Sequence, residues 1–452
     1  MAPLIAWIGR LELTLFGDSL LAIRIFPALA GTALVVLAAL IACELGGGRF
    51  AQGIAALCVL LAPGIMALDH FLNVNAFEPL CWMGCAWALI RMIRTGNPRL
   101  WLWFGLIAGI GLETKHSMLI FGFALIAGLL LTAERGLLFN RWLILGGLIA
   151  LVLFLPNLVW NVQNHFPFID EQRRVLSSGR DVRLSPLTFF GEEMLAMLPL
   201  SAPVWIAGLW WLLFHREGRR YRALGLAWIV ATLVIFTLSP RIYYLFPAFP
   251  LLFAAGGVWA ETWRVRFLRP VYCTLMVLMG ALLAPTLIPL LPPETYIRYA
   301  QATHLEQPRI ENHQLGPLPQ LFADQFGWEE MAAEVARIYK TLPPDVQART
   351  AIFAQNYGQA GAIDLFGPRY GLPPAISGHL NYYYWGPRGY SGESVIVMGD
   401  REDRLKTKFA SVEKAGRIAH PYAMPFEHID IFYCRGMKWR LAEVWPKVKN
   451  WR

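Results

Sequence analysis

Two carboxylates stand out in the polar stretch at residues 67–78. Asp69 and Glu78 lie there between apolar runs at 53–68 and 79–93. A carboxylate at a membrane boundary is costly to maintain unless it serves a function, and a carboxylate can act as a general base. Asp69 fits an ordinary solvated loop equally well. Glu78 is the stronger candidate, because the apolar run resumes directly after it.

The cations that could accompany these acids are isolated ones. Lys115, followed by His116, ends an apolar run, and Arg241 precedes Tyr243 and Tyr244. A lysine at the end of a span can simply extend to the interface, and the tyrosines fit an aromatic belt at the membrane surface. The functional alternative is contact with a lipid phosphate, for which a guanidinium is well suited.

A polar loop at residues 161–193 offers further candidates. They are Asn161, Asn164, His165, Asp170, Glu171, Arg173 and Arg174. Most of them fit a solvated loop, and we retain Arg173 and Arg174 as candidate substrate contacts. Acids and isolated cations of this kind favour attack on a group linked to a lipid phosphate, with a carboxylate as base and cations stabilising the leaving phosphate.

Composition indicates which elements must position these residues. The 452 residues are 56% hydrophobic and 16% charged, whereas a globular protein carries about 25% charged residues. Repeated apolar runs of about 20 residues predict an all-α, multi-pass membrane bundle of about ten spans. The predicted spans are 22–43, 53–68, 76–93, 100–112, 117–132, 142–160, 195–214, 223–238, 242–260 and 270–291.

Arginines in alternate short loops predict the orientation of this bundle. They are Arg49; Arg91, Arg94 and Arg99; Arg135 and Arg141; Arg216, Arg219, Arg220 and Arg222; and Arg264, Arg266 and Arg269. The positive-inside rule predicts that these loops lie on the cytoplasmic side of an inner or plasma membrane. Asp69, Glu78, Lys115 and Arg241 then lie at the outer face. Because the net charge of +9 falls in such loops, it predicts no nucleic-acid partner.

The chain divides by composition into three parts. Residues 1–21 are predicted to form a short amphipathic helix in the membrane interface. Residues 22–291 are predicted to form the transmembrane domain, and residues 292–452 a soluble α/β domain at the outer face. In the last part, helices are predicted at 328–341, 358–366 and 401–409, and strands at 350–354, 394–398 and 429–433.

The predicted topology has an unusual start. The ten predicted spans put the N-terminus at the outer face, which is unusual for a chain that has no signal sequence. We therefore expect that one further helix and the outer loop after it precede the given sequence and are missing from it.

Five segments in order carry a resemblance to a known family. They lie at residues 3–24, 75–82, 109–116, 155–161 and 241–248. Together they resemble the dolichyl-phosphate-mannose-protein mannosyltransferases and the aminoarabinose-transferase-like glycosyltransferases, which are integral membrane enzymes of the GT-C fold. The resemblance covers roughly residues 3–260. Each motif is weak alone, but five in order are specific.

The resemblance implies a polyprenyl-phosphate sugar as donor, transfer at the outer face, and a lipid, glycan or protein as acceptor. It gives Glu78 the role of the second acidic motif, where the family usually has Asp, and gives Lys115 and Arg241 contacts with the donor phosphate. His116 takes the place of a family Tyr. The principal catalytic acid of the family lies in a first outer loop, which is the loop that we expect to be missing. Some GT-C enzymes use a divalent cation and others do not, and the cysteines show no metal-ligand spacing.

Two other functions compete with glycosyl transfer. A lipid-linked-sugar transporter or flippase also needs polar residues in a bundle, and it predicts acids and broken helices near the middle of the membrane. A non-catalytic scaffold on the same fold follows from the missing loop. In the soluble domain, residues 356–359 and 379–382 are polar and aromatic clusters of the kind that sugars favour, although turn chemistry explains them nearly as well.

Overall fold

Helices make up most of the chain in the computed structural model, which describes residues 3–178, 184–238, 241–263, 265–305 and 314–451. Arg264, one of the arginines behind the topology prediction, lies outside these residues. The chain forms two compact units, Met1–Phe166 with Val182–Leu290, and Pro167–Asp181 with Leu291–Arg452. The second unit therefore begins one residue before the predicted boundary and also includes a segment that the sequence put in the transmembrane domain.

The first fifteen helices are α1 (Leu4–Phe16), α2 (Ile25–Glu44), α3 (Arg49–Leu61), α4 (Pro63–Asp69), α5 (Val74–Thr95), α6 (Leu100–Thr114), α7 (Met118–Leu130), α8 (Arg141–Gln163), α9 (Pro167–Ser178), α10 (Pro186–Ala196), α11 (Ala202–Phe214), α12 (Arg222–Leu238), α13 (Phe249–Ala260), α14 (Leu268–Leu283) and α15 (Pro293–Thr303). Of these, α9 and α15 belong to the second unit.

The helices confirm a multi-pass membrane bundle. Within the described residues, six helices are long and apolar enough to cross a membrane. The number rises to eight if each of two bent helix pairs is counted as one span. The shorter apolar helices α6 and α7 have 15 and 13 residues. At about 1.5 Å per residue they are shorter than the hydrocarbon core of about 30 Å. The ten predicted spans correspond to these six helices, two bent pairs and two shorter helices, and six to eight of them have the length and composition to cross a membrane.

Two predicted spans are broken rather than straight. α3 and α4 meet at an angle of 64°, and α10 meets the helical segment Pro199–Phe214 at 96°. Pro63 and Pro199 each begin the second half, and a proline cannot continue a preceding helix because it lacks the N–H and clashes with the previous turn. At the sharper break, Leu198 has a φ of 68°.

Glycine allows close packing between α6 and α8. A Cβ added to Gly105 of α6 would lie 2.0 Å from the carbonyl oxygen of Gly146 on α8, and one added to Gly146 would lie 2.1 Å from the oxygen of Trp101. Only small residues permit such an approach between membrane helices. The first half of α6 therefore packs closely against α8.

Polar contacts join loops at one end of the first unit. Arg91 and Arg94 near the end of α5 pair with Glu44 at the end of α2, at 3.1 and 2.8 Å. The carboxylate of Glu261 accepts hydrogen bonds from the backbone N–H of Gly48, at 2.8 Å, and of Ala51. These contacts join three loops that the arginine pattern assigned to the cytoplasmic side, so the three loops lie at the same end of the bundle.

The second unit contains a five-stranded mixed sheet. Its remaining elements are α16 (Gln320–Ala323), α17 (Trp328–Lys340), α18 (Pro344–Gln347), β1 (Thr350–Ala354), α19 (Tyr357–Phe366), β2 (Ile376–Ser377), α20 (Asn381–Tyr384), β3 (Ser394–Met398), α21 (Glu402–Lys408), β4 (Phe409–Arg417), β5 (Asp430–Met437) and α22 (Leu441–Val444). The strand order is β2-β1-β3-β5-β4. β2, β1 and β3 are parallel, whereas β5 is antiparallel to both β3 and β4.

Both faces of this sheet are covered. Ile352 and Ile396 pack into one buried cluster that includes α17 and α19, and their neighbours Ala351 and Val395 pack into another on the opposite face. This alternation follows from the two-residue repeat of a strand. The structure confirms the predicted α/β fold of this part, while β4 and α15 were missed. β4 is the edge strand, and all but one of its residues are exposed or half-buried, so its sequence lacks the apolar alternation of a buried strand.

Candidate functional site

Glu78 lies inside a helix rather than in a loop. The side chain of Asn73 accepts a hydrogen bond from the backbone N–H of Asn75 at 2.7 Å, which caps α5 and starts it at Val74. Asparagine is a favoured residue at this position because its side chain satisfies an otherwise unpaired N–H. Glu78 therefore projects from the start of the helix toward the interior, and its side chain is only 2% exposed.

Lys115 supplies the charge that compensates Glu78. It follows the last residue of α6, where the backbone turns to an extended conformation. Its Nζ donates to Oε2 of Glu78 and to Oδ1 of Asn75, both at 2.8 Å. Ser117 donates a hydrogen bond to the other oxygen of Glu78. The four side chains form a charge-paired group in which Glu78 is buried and the other three are half-buried.

Two tyrosines cover this group. Nζ of Lys115 lies 4.2 Å from the ring centre of Tyr244 and 5.5 Å from that of Tyr243. A cation in this position is attracted by the ring electrons, most strongly where water is excluded. Arg241 donates from Nη1 to the hydroxyl of Tyr243 at 2.8 Å. The structure thus brings together Glu78, Lys115, Arg241 and both tyrosines, and it orients two cations around one tyrosine.

Asp69 and His116 make different contacts. Asp69 ends α4, and its carboxylate packs on Gly31 of α2, where an added Cβ would lie 2.3 Å from Oδ2. Its Oδ1 is buried and has no hydrogen-bond partner among the described residues. The ring of His116 meets the edge of Phe154 on α8, with centroids 5.8 Å apart. Asp69 thus packs on α2 and His116 on α8, whereas Glu78 and Lys115 face each other.

Arg173 and Arg174 belong to the second unit. Both lie on α9, and both are exposed. The sequence treated residues 161–193 as a loop of the transmembrane domain, but α8 continues to Gln163, and α9 and α10 are helices. The two arginines therefore lie in a different compact unit from Glu78.

Glu193 was missed as a buried group. It lies on α10, is 1% exposed, and neither carboxylate oxygen has a hydrogen-bond partner in the part of the chain that the structure describes. The sequence placed it at the end of a polar loop. Ser185 followed by Pro186 was the available signal, because these residues favour the first positions of a helix. From that start, Phe189, Glu193 and Ala196 share the buried face.

The described residues do not form a ready metal site. Across residues 3–451, apart from the segments left undescribed, no group of three or more His, Cys, Asp or Glu side chains could hold an ion. Glu78 is engaged by Lys115 instead. We therefore derive no reaction step through a divalent cation.

Comparison with known proteins extends this description. Residues 1–160 match the family model described as dolichyl-phosphate-mannose-protein mannosyltransferase. No significant match was found among the curated proteins. Two crystal structures of ArnT from Cupriavidus metallidurans are similar in fold. The structure bound to undecaprenyl phosphate has a TM-score of 0.59 and the apo structure 0.60, each at 16% sequence identity over 96% of this chain and 87% of that chain.

At this level of identity, the likeness to ArnT shows the fold alone. It extends over most of the chain, whereas the family match is confined to residues 1–160. Together they confirm the GT-C resemblance predicted from the motifs and identify the chain as a multi-pass membrane protein with the fold of GT-C glycosyltransferases.

Proposed function

We propose that this protein transfers a sugar from a polyprenyl-phosphate donor to an acceptor at the outer face of the membrane. The ArnT-like fold supports this function, and one of the similar ArnT structures is bound to undecaprenyl phosphate. The observation that carries the proposal is the position of Lys115. Its ammonium is held 2.8 Å from both Glu78 and Asn75 beneath the ring of Tyr244, where a lipid phosphate could meet a fixed cation.

The reaction is a substitution at the anomeric carbon of the donor sugar. An acceptor hydroxyl forms the new C–O bond, and the bond between the anomeric carbon and the phosphate oxygen breaks. The polyprenyl phosphate leaves with the electron pair, and a base takes the acceptor proton. Negative charge therefore grows on the phosphate, which is where a preorganised cation lowers the barrier.

Lys115 and Arg241 are the proposed phosphate contacts. An ammonium has three N–H donors, and two from Lys115 are directed at Glu78 and Asn75, which leaves one for a phosphate oxygen. Arg241 approaches from the side of Tyr243, and a guanidinium can bind phosphate through two parallel hydrogen bonds.

Glu78 acts through Lys115 in this proposal. Both of its oxygens already accept hydrogen bonds, one from Lys115 and the other from Ser117. Its side chain is only 2% exposed and is enclosed by these two donors, so in this proposal it positions the lysine. A role as base, predicted from the sequence, stays a prediction. Asp69 has no part in the proposed reaction, because its carboxylate packs on α2.

Binding of undecaprenyl phosphate to the purified chain in lipid nanodiscs tests the proposal. Lys115→Ala should weaken binding about tenfold or more, because a charge-assisted phosphate contact is lost, while Lys115→Arg should retain more of it. Undecaprenol, which lacks the phosphate, should bind equally to all variants. Arg91→Ala is the matched control, because that arginine pairs with Glu44 at the other end of α5.

Two results would argue against a phosphate contact. Equal losses in Lys115→Ala and Lys115→Arg would indicate that the lysine only extends to the interface. Equal losses for undecaprenyl phosphate and undecaprenol would indicate damage to the lipid-binding surface instead.

One observation favours the transporter alternative. Glu193 is a buried carboxylate without hydrogen-bond partners among the described residues, and it lies beside the 96° break between α10 and the next helix. Buried acids and broken helices are typical of transport pathways. Under this alternative, Glu193→Gln should stop the transport of a polyprenyl-phosphate sugar across the membrane of vesicles that contain the protein, and it should leave sugar transfer unchanged. Unchanged movement in this variant would argue against transport.

A further inference from the structure

Asn75 carries two hydrogen-bond donors that no described residue uses. Its Oδ1 accepts from Nζ of Lys115 at 2.8 Å, whereas its Nδ2 makes no hydrogen bond to a described residue and remains accessible. The residue as a whole is half-buried. Two amide N–H groups are therefore open to a ligand at the edge of the group that pairs Lys115 with Glu78.

The lysine fixes which end of this amide points away from the pair. An ammonium has hydrogen-bond donors and no acceptor, so the amide atom that faces Lys115 must be the oxygen. The backbone of Asn75 is held as well, because its N–H donates to Oδ1 of Asn73 at 2.7 Å in the first turn of α5. Nδ2 lies within about 5 Å of Nζ of Lys115, since the amide oxygen is adjacent to both nitrogens.

Two other asparagines of the first unit use their amide donors within the protein. Nδ2 of Asn73 donates to the carbonyls of Leu68 and Phe71, at 2.7 and 2.9 Å. Nδ2 of Asn161 donates to both the backbone and the side-chain oxygen of Asn157. Polar groups of a folded protein are normally satisfied in this way. A restrained amide whose donors stay open is therefore suited to a ligand.

The charges around Asn75 favour an anion as that ligand. Glu78 offsets Lys115. Arg241 adds a second positive charge, because it contacts Tyr243, whose ring centre lies 5.5 Å from Nζ of Lys115. One carboxylate and two cations leave a net positive charge. A hydrogen bond from an N–H group to a charged oxygen is also about twice as strong as one between neutral groups.

We propose that Asn75 is a third contact to the phosphate of the polyprenyl-phosphate ligand and binds it through Nδ2. One phosphate group then bridges Asn75 and the remaining N–H of Lys115. The identity of this ligand rests on the proposed function. In the transfer reaction, the amide donates to an oxygen on which negative charge grows as the polyprenyl phosphate leaves. It exchanges no proton with the substrate.

A double-variant cycle separates this role from a simpler one, in which Asn75 only holds Lys115 in place. Asn75→Leu replaces the amide with an apolar group of similar size, and its effect is measured both in the wild type and in Lys115→Ala. The assay is binding of undecaprenyl phosphate to the full chain in phosphatidylcholine nanodiscs. Because Lys115→Ala has no ammonium to hold, a further loss in that background reports the amide donors alone.

We expect Asn75→Leu to weaken the binding of undecaprenyl phosphate about tenfold in Lys115→Ala, and at least as much in the wild type. Binding of undecaprenol, which lacks the phosphate, should stay the same in all variants. Asn97→Leu is the matched control and should bind like the wild type, because Asn97 is exposed and lies beyond the other end of α5.

Two results would overturn the proposal. If Asn75→Leu causes no further loss in Lys115→Ala, Asn75 acts only through the lysine. If Asn75→Leu weakens undecaprenol binding equally, it damages the lipid-binding surface. Should Lys115→Ala fail to fold, Glu78→Gln/Lys115→Met replaces it as the background, since it contains neither charge of the pair. Failure of the proposed phosphate contact at Lys115 would look different, because Lys115→Ala alone would then bind undecaprenyl phosphate like the wild type.

Discussion

Removal of the charge on Lys115 should destabilise the protein more than removal of the charge on Glu78. Lys115→Met keeps the shape of the side chain but leaves Glu78, which is 2% exposed, as a buried carboxylate whose one remaining donor among the described residues is Ser117. Breaking a buried ion pair from one side typically costs about 3–5 kcal/mol. We expect a loss of unfolding free energy in this range.

Glu78→Gln should be milder for two reasons. The ammonium of Lys115 keeps its hydrogen bond to Asn75 and its position 4.2 Å from the ring centre of Tyr244, a contact worth about 2 kcal/mol when desolvated. The side chain of Lys115 is also 16% exposed, so its flexible stem can carry the charge toward water. We expect a loss of about 1–3 kcal/mol.

The double variant Glu78→Gln/Lys115→Met provides the decisive comparison. It contains neither buried charge, so it should be more stable than Lys115→Met alone, with a coupling energy of at least about 2 kcal/mol. The assay is equilibrium unfolding in mixed micelles with increasing sodium dodecyl sulfate, followed by circular dichroism. Additive single effects, or a greater loss in Glu78→Gln than in Lys115→Met, would refute the buried-pair reasoning.

Further predictions concern the neighbours of this pair and the second unit. Ser117→Ala should cost about 1–3 kcal/mol of unfolding free energy in the same assay, because a buried acceptor on Glu78 loses its donor. Tyr244→Phe should preserve undecaprenyl phosphate binding and Tyr244→Leu should weaken it, since phenylalanine keeps the ring that contacts Lys115 and leucine does not. Gly31→Ala should lower thermal stability because its Cβ would overlap the carboxylate of Asp69, and Asp69→Ala in the same chain should restore part of the loss. Burial raises the pKa of the Cys434 thiol from its ordinary 9.0 to about 12, so the folded state keeps its proton where the unfolded state would lose it. The contribution of Cys434 to stability should therefore be constant below about pH 8 and fall as the pH rises further, which can be followed by denaturation of wild type and Cys434→Ala.

Much of the architecture follows from local sequence patterns. The spans at 76–93 and 142–160 correspond to α5 and α8, because a membrane helix must bury about 20 consecutive apolar residues whatever surrounds it. β1 and β3 were predicted for a related reason, since both are short runs of apolar residues buried on both faces. β4 was missed because its exposed edge position leaves no such pattern.

Local sequence patterns predicted a multi-pass bundle with an α/β domain, and isolated charges beside apolar runs, together with the motif resemblance, marked Glu78 and Lys115 as functional candidates. Only the tertiary structure decided which candidates meet. Glu78 and Lys115 are 37 residues apart and pair because α5 packs against α6, while Tyr244 reaches the same cation from a segment far along the chain. The burial of Glu193 likewise depends on how α10 packs. The local sequence indicates whether a segment must be buried. Which side chains share a buried site depends on the packing of distant helices, and here that packing pairs Glu78 with Lys115.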